Sequence, residues 1–372
     1  SATDGQGAIR NWPSAIPDCP RLLYQVDDQV IPLGRPAHRI ILTRSERNEL
    51  AKIGRRPWHN SSNAQMSGTF INHKGGEISV RYNVGVRLRG STSRAAEHKS
   101  RRVNFPNDRP WRGRTEINLN ALHPHAQELG SALFRLAGLP APRARVVRLF
   151  ENNEQLGGTN QFNHYAELDP LNSDYIRWQY PNDNNGNLYK CGGYANLKFL
   201  GEKPAAYAEK HFYTKQTNAW KNDYSDLIEF LRMLGKANDL MDIDGWMRHL
   251  AVHDLLGNTE TSLVTGGKGD FALYAGAVDQ RFMLIPYDLD AVLGVQGGTT
   301  SPLWRAATNP VLDTLMNRPD VAARYWFHLD DLARTVFSAD QLEPVIDRHV
   351  GDYLPIVEVN RLKSFAAKRC EF

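Results

Sequence analysis

The stretch "RFMLIPYDLDAVLG", residues 281–294, sets the core-type residues Phe282, Met283, Leu284 and Ile285 just ahead of two acids, Asp288 and Asp290, and a glycine. Residues i and i+2 of an extended chain share a face, so the spacing predicts that both carboxylates point the same way. Two like charges side by side cost energy unless a cation or a proton lies between them. The pattern reads either as a metal site or as a strand end in which Asp290 caps the next segment.

Upstream, "FALYAGAVDQRFMLIPYD" has the look of a β-hairpin. It is fed by "GNTETSLVTGGKGDFALY", a glycine-rich polar loop that carries Asn258, Glu260, Lys268 and Asp270. The loop follows an expected helix at 242–258, whose Ile243, Trp246, Met247, Leu250 and Ala251 form one apolar stripe. His253 and Asp254 stand three and four residues beyond Leu250, so one of them continues that stripe. His253 reads as a buried histidine satisfied by a carbonyl or as a catalytic group. Base-bearing loop, strand, turn, strand and acid is also the order of parts in a kinase core. Such a core neutralises phosphates with Mg²⁺, a hard cation that prefers a few carboxylates and waters to nitrogen or sulfur.

The first half of the chain has a different character. "EISVRYNVGVRLRG" alternates Ile78, Val80, Tyr82, Val84, Val86 and Leu88, the period-2 signature of a half-buried strand or hairpin. "RRVNF" and "TEINLN" continue as strands, a helix is expected at 125–137, and "RARVVRLFE" and "NQFNHYAEL" complete a small lobe of five strands and one helix. Residues 1–60 read as an N-terminal wrap, with "RIILT" at 39–43 its one clear strand. The segment 169–223 is polar, and its "YPNDNNGNLYKCGG" reads as a surface loop or hairpin. Helices dominate from 223 onward.

Between residues 87 and 114 basic side chains gather in "RLRGSTSRAAEHKSRR" and "RPWRGR" without a matching acidic run. "RLRGSTSRAAEHKSRRVNF" reads as strand, Gly-Ser-Thr-Ser turn and strand. Such a turn aims backbone N–H groups and the hydroxyls of Ser91 and Ser93 at phosphate oxygens. Lys99 is the best placed cation, with Arg89, Arg94 and Arg101 as rivals. Few aromatics are interleaved, so nucleic acid is not the expected partner.

At 372 residues, with 41% hydrophobic and 23% charged residues and a net charge of +4, the chain is long enough for two lobes. No apolar run approaches the roughly 18 residues of a membrane span. The start "SATDGQGAIRNWP" carries no signal-like segment, which leaves both a cytoplasmic and an exported location open, the latter with a signal already removed. Cys19, Cys191 and Cys370 form no metal or redox spacing, and an odd count excludes a fully paired disulfide framework.

"VGVRLRGSTSR", "HKSRRVNF", "INLNAL", "LAGLPAPRARVVRLFENNEQLGG", "LYK", "LLGN", "FALY" and "IPYDLDAVLG" occur in the order of a known family. From about residue 35 to about 355 the chain resembles the CotH family, the spore coat protein H-like kinases. The resemblance implies an α+β, protein-kinase-like two-lobe fold: a small, mainly β N-lobe with one helix at 61–168, and a larger, mainly helical C-lobe at 169–372. It also implies ATP with Mg²⁺ or Mn²⁺ and phosphorylation of Ser or Thr in a protein target.

Carried across, Asp288 stands at the family's metal-binding aspartate and Asp290 at the second acid of that motif. Lys99 stands at the lysine expected near the phosphates, and Glu167 near an acidic residue at the end of the fifth strand, which with Arg89, Ser91 and Ser93 makes the nucleotide-binding set. In the catalytic loop the family's Asn-x-Asp and Asn-Asn become "NTE" and "GDF". Glu260 then stands for the catalytic aspartate, and Asp270 for a metal-binding asparagine that can also act as base. An active kinase, a nucleotide-binding pseudokinase and a related transferase are the readings this leaves, beside an extracellular binding or adhesion module and, through the basic region, a polysaccharide- or nucleic-acid-binding protein.

Overall fold

The computed structural model describes residues 2–3, 9–10, 24–25, 34–53, 62–90, 94, 96–158, 162–193, 195–208, 212–236, 239–265, 269–304 and 309–372. The chain divides into two compact units: Ser1–Pro124 with Ala144–Pro170, and His125–Arg143 with Leu171–Phe372.

In the first unit, β1 (Ala2–Thr3), β2 (Ile9–Arg10) and β3 (Tyr24–Gln25) make a small sheet. β4 (Ala37–Ile41) leads into α1 (Arg44–Ile53), whose start is a capping box. Thr43 Oγ1 accepts from the Glu46 N–H at 3.2 Å while the Glu46 carboxylate accepts from the Thr43 N–H at 2.9 Å. Residues 37–53, expected within an N-terminal wrap, are thus a strand and a helix. β5 (Met66–Lys74), β6 (Glu77–Leu88), β7 (Arg101–Asn104) and β8 (Glu116–Asn120) follow as an antiparallel meander.

Next in the chain comes α2 (Pro124–Leu136), which belongs to the second unit. β9 (Ala144–Glu151), β10 (Glu154–Leu156) and β11 (Tyr165–Leu168) return to the strands. Among the described residues these form an eight-stranded sheet ordered β10-β9-β11-β8-β7-β6-β5-β4, and β4 also pairs in parallel with β9. With β10 hanging from β9, the other seven strands close into a barrel. Asn152 extends the seam, its side-chain Oδ1 accepting from the Leu42 N–H at 2.9 Å and its Nδ2 donating to the Leu42 carbonyl at 3.2 Å.

The long alternation in β6 does not face one way. Gly68 pairs with Val84 but Phe70 pairs with Arg81, so three residues of β6 oppose two of β5, and Asn83 takes φ 52°. One extra residue in a period-2 strand swaps its faces. Val84, Val86 and Leu88 are buried, while Ile78 and Tyr82 are exposed. Ser79, of the other parity, receives the indole N–H of buried Trp111 at 3.2 Å.

A buried ionic knot lies in the same unit. Glu167 on β11 accepts from His38 Nε2 at 2.5 Å, from Arg145 at 2.6 Å and from Arg114 at 2.7 Å, and Arg114 also reaches Asp169 at 3.0 Å. Burial opposes ionisation of Glu167, but His38, Arg114 and Arg145 together hold its carboxyl well below the ordinary range. Burial likewise holds His38 below the usual imidazole value, against the pull of Glu167.

The second unit pairs a small sheet with helices. α2 packs there through Gly130, where an added Cβ would lie 3.0 Å from Leu289 Cβ, and through Glu128, which takes His349 at 2.9 Å. The sequence reading set this helix in the N-lobe. Its amphipathic stripe marks a buried face without naming the surface that covers it. α3 (Ser173–Gln179), β12 (Asn187–Cys191), α4 (Ala205–Ala208) and β13 (Tyr213–Lys215) come from the segment 169–223 that reads as polar, and α5 (Ser225–Met233) opens the helical part expected from 223 onward. α6 (Ile243–Leu255), α7 (Ser262–Thr265), β14 (Phe271–Ala275) and β15 (Met283–Pro286) follow. α8 (Pro310–Met316), α9 (Pro319–Arg334), α10 (Ala339–Val350) and α11 (Ile356–Glu371) end the chain described. The sheet order is β13-β12-β14-β15, all antiparallel. α6 is buried on almost every side from Trp246 to Leu255, beyond the single stripe expected.

The knot makes barrel stability pH-dependent. Replacing Glu167 by Gln leaves Arg114 and Arg145 without their shared anion and is expected to cost about 3–5 kcal/mol in denaturant unfolding. On acidification the unfolded chain protonates a free histidine first, so stability begins to fall below about pH 6.5, and falls again as pH drops through the ordinary carboxylate range toward the lowered Glu167 value. A thermal melt series from pH 8 to pH 3 should show both steps in the wild type and a shallower first step in His38→Gln, since buried His249 is also held below its ordinary value.

Candidate functional site

The acids meet at the open end of the β14–β15 hairpin. Phe271 pairs with Pro286, so Asp270 and Tyr287 are the next residues outward on the two strands and Asp288 follows. Both acids have left-handed backbone, φ 66° at Asp270 and 58° at Asp288, a region that Asp tolerates better than most residues. One carbonyl anchors the corner: Cys191 O, at the end of β12, accepts from the Asp270 N–H at 3.0 Å and from the Tyr287 hydroxyl at 2.7 Å. Burial pushes the Tyr287 phenol well above its ordinary value, and the charges of Asp270 and Asp288 push it further. Both carboxylates therefore act on one phenol.

Strand geometry ends at Pro286, and Leu289–Ala291 is a turn of 3₁₀ helix. The two-residue spacing of Asp288 and Asp290 consequently does not set them on one strand face. Asp288 is half-buried and Asp290 is buried within the turn. The turn is supported by α2, whose Gln127 Oε1 accepts from the Leu289 N–H at 3.1 Å. Nothing in the spacing of the sequence pointed to Gln127.

The loop after α6 opens with a Schellman end: the Gly257 N–H bonds the Asp254 carbonyl at 3.0 Å and the Asn258 N–H bonds the His253 carbonyl at 3.0 Å. Gly257 has φ +64°, and an added Cβ would meet the Phe365 ring at 2.9 Å. Glu260 follows, half-buried, with its Oε1 accepting from Gln296 Nε2 at 2.8 Å. The chain then closes on itself: the Ser262 N–H bonds the Gly269 carbonyl at 2.9 Å, and Ser262 Oγ bonds the Ala195 carbonyl at 2.8 Å. The strand holding Asp270 and the loop holding Glu260 are thereby tied together. Lys268 lies outside the described residues.

In the barrel unit, Ser91 and Ser93 also lie outside the described residues. Lys99 donates to the Ala96 carbonyl at 3.0 Å, and Arg89 bonds Asn120 through its side chain and the Ser100 carbonyl through its N–H at 3.1 Å. Arg94 is buried, bonding Gly90 O and Asn63 Oδ1 at 2.7 Å each and also Ser62 O. Arg101 bonds the Lys99 carbonyl at 2.7 Å and Glu151 at 3.2 Å. Glu167 belongs to the ionic knot.

A further feature here escaped the sequence reading. Arg87 and Arg102 are direct cross-strand partners on β6 and β7. Burial, then the charges of Arg102 and Arg94, hold the Arg87 guanidinium down to about 10, with Glu116 pulling the other way. Like charges set opposite each other are unfavourable, and an anion beside them relieves the strain, as Glu116 does in part by accepting from Arg102 at 2.7 Å. Only the strand register, invisible in a linear reading, brings the two together.

Among the described residues no group of three or more His, Cys, Asp and Glu side chains gathers as a ready cage for a metal. Asp270 and Asp288 offer the donor chemistry that a hard cation such as Mg²⁺ takes, one or two carboxylates with water and substrate phosphate in the other positions. The chain thus combines an acidic hairpin end with a mixed α+β fold and arginines facing each other on β6 and β7. The family model described as CotH kinase protein matches residues 86–367, and the chain belongs to that family.

The chain is 23% identical over 284 residues to the inner spore coat protein H of Bacillus subtilis (strain 168), a match covering 72% of this chain and 75% of the relative. Among solved structures it is similar to the Helicobacter pylori proinflammatory kinase CtkA, at 11% identity and a TM-score of 0.35, over 72% of this chain and 89% of that one. It is also similar to a chain of the Shewanella oneidensis MR-1 toxin–antitoxin complex of HipA, HipB and operator DNA, at 9% identity and a TM-score of 0.37, over 93% and 74%.

Removing the Tyr287 hydroxyl tests the corner. Tyr287→Phe deletes a buried hydrogen bond to Cys191 O and should cost about 1 kcal/mol, read as a lowered midpoint in urea with an unchanged slope.

Proposed function

We propose that the protein is an ATP- and divalent-metal-dependent phosphotransferase acting on a Ser or Thr hydroxyl of a protein, on a protein-kinase-like two-lobe fold. The observation that carries this reading is the pair Asp270 and Asp288, two aspartates in left-handed backbone just beyond the paired ends of one hairpin. Membership of the CotH kinase family supports it.

Asp288 and Asp270 are the residues that would hold Mg²⁺ or Mn²⁺, and Lys99 with Arg89 would hold the phosphates. Bound there, the metal supplies neutralisation of phosphate charge. In the transfer the γ-phosphorus to bridging-oxygen bond of ATP breaks, a bond from phosphorus to the substrate oxygen forms, and ADP departs. The proton of the attacking hydroxyl goes to Glu260 Oε or, if that carboxylate is withdrawn, to Asp270. Asp290 stands as a further metal-side acid or as a buried member of the turn.

One observation favours a nucleotide-binding pseudokinase as the second reading. Glu260 replaces the shorter acid of the family pattern and its carboxylate is already engaged by Gln296. A misplacement of about 1 Å costs roughly 100-fold in rate.

Radiolabelled ATP offered with Mg²⁺ or Mn²⁺ and a Ser/Thr-rich protein separates the readings. Transfer should be lowered by about 100-fold or more in Asp288→Asn, the loss of several kcal/mol of charge stabilisation. Nucleotide-dependent thermal stabilisation without transfer supports the pseudokinase. No nucleotide-dependent shift with either metal refutes both.

A further inference from the structure

Helix α6 carries two histidines that the roles above leave unused, and both are fully buried. His249 and His253 sit one turn apart, with Nε2 to Nε2 at 3.0 Å, and Phe134 packs against both rings at 4.9 and 4.8 Å between centroids. His253 Nδ1 lies 3.0 Å from Asn258 Nδ2, and Asn258 Oδ1 accepts from the backbone N–H of Glu260 at 3.0 Å.

The directions of these bonds follow from one fixed donor. A backbone N–H can only donate, so Glu260 N–H identifies the Asn258 atom it meets as the oxygen. The amide nitrogen must then face His253, and since an amide nitrogen only donates, His253 Nδ1 is the acceptor. The His253 proton accordingly resides on Nε2 and is donated to His249 Nε2, which places the His249 proton on Nδ1. Burial holds His249 down to about 3, in keeping with a neutral acceptor ring. Asn258 therefore grips His253 twice, through its N–H to the His253 carbonyl and through its side chain to the ring, and presents the remaining oxygen to Glu260.

We infer that His253 is a positioning residue: its Nδ1 orients the Asn258 carboxamide, and the carboxamide fixes the backbone at Glu260 and with it the carboxylate assigned above as base. The inference rests on the phosphotransferase reading for its catalytic meaning and on the hydrogen bonds alone for its structural part. A histidine that merely fills the core would leave the Glu260 amide indifferent to its replacement. A positioning histidine couples the two. His249 orients His253 from behind and adds no contact to the loop.

The test compares His253→Leu, His253→Asn and Asn258→Ala. Asparagine puts an oxygen where Nδ1 stands but has nothing to offer His249, so it keeps the grip on Asn258 while it breaks the histidine pair. In steady-state assays with radiolabelled ATP, His253→Leu and Asn258→Ala should each lower kcat by about 10- to 30-fold with little change in KM for ATP, a fraction of what an ångström of displacement costs. His253→Asn should stay within about threefold of wild type, and the double variant should be no worse than Asn258→Ala alone.

A second readout does not depend on activity. In protein labelled with ¹⁵N-glutamate, exchange of the Glu260 amide should accelerate by at least about 10-fold in His253→Leu and Asn258→Ala and remain protected in His253→Asn. Unchanged exchange in His253→Leu overturns the positioning, whether or not the protein transfers phosphate. Faster exchange with an unchanged kcat in an active enzyme overturns the catalytic role. Absence of transfer in the wild type, with the exchange pattern as expected, refutes the phosphotransferase reading and leaves the positioning standing.

Discussion

A single carbonyl oxygen at the end of β12 organises the acidic corner. Cys191 O takes the N–H of Asp270 and the hydroxyl of Tyr287, so one acceptor with two lone pairs joins three strands at the point where they stop. Main-chain bonds of this kind set backbone direction, and here they hold two aspartates in left-handed conformations. Each such residue costs about 1–3 kcal/mol and persists where its surroundings over-determine it. The surroundings in this case are β12, the hairpin and α2, through Gln127.

The hairpin, the helices from 223 onward and the acids were legible because their signals are local: apolar runs, helical spacing and a turn between them. β12 was not. Its "NLYKC" reads as part of a surface loop or hairpin because Asn187, Lys190 and the preceding "PNDNNG" are polar, yet Leu188, Tyr189 and Cys191 are buried in a four-stranded sheet. The side chains of Asn187 and Tyr189 are satisfied by one carboxylate, Asp226 on α5, at 2.8 and 2.6 Å. Polarity in a strand is tolerable when a distant residue supplies its partner, and no linear pattern reports that partner. The bulge at Asn83 misleads in the opposite way: the alternation is present, but the extra residue redirects half of it. Likewise Asp288 and Asp290 are two apart in an extended reading, while the chain between them is coiled into a 3₁₀ turn.

Charge in the two units takes opposite signs. Arg87 faces Arg102 across a ladder in one, and Asp270 and Asp288 bear on the same phenol in the other. Glu116, 2.7 Å from Arg102, offsets part of the first within the chain, and an ion of the opposite sign relieves what remains of each. The ionic knot around Glu167 is the contrasting case, where opposite charges meet in the interior and no outside ion is called for. His38, Arg114 and Arg145 look in the sequence much like Arg87 and Arg102. The convergence of three cations on one buried carboxylate makes the difference.

The parallel pairing of β4 with β9 also governs the order in which the protein can form. Residues 37–41 must wait for residues 144–151, a separation of more than a hundred positions, before the ring of strands has its last ladder. Contacts so distant along the chain are slow to establish because loop closure precedes any gain from pairing. Until then the sheet from β4 to β8 has two open edges, which are sites for adventitious pairing with other chains. During synthesis from the N-terminus, α2 emerges before the strand that closes the barrel, though its packing partners around residues 289 and 349 are made much later. The barrel is thus completed across a helix that has not yet found its own place, and the first unit spends part of its assembly carrying a piece that belongs to the second.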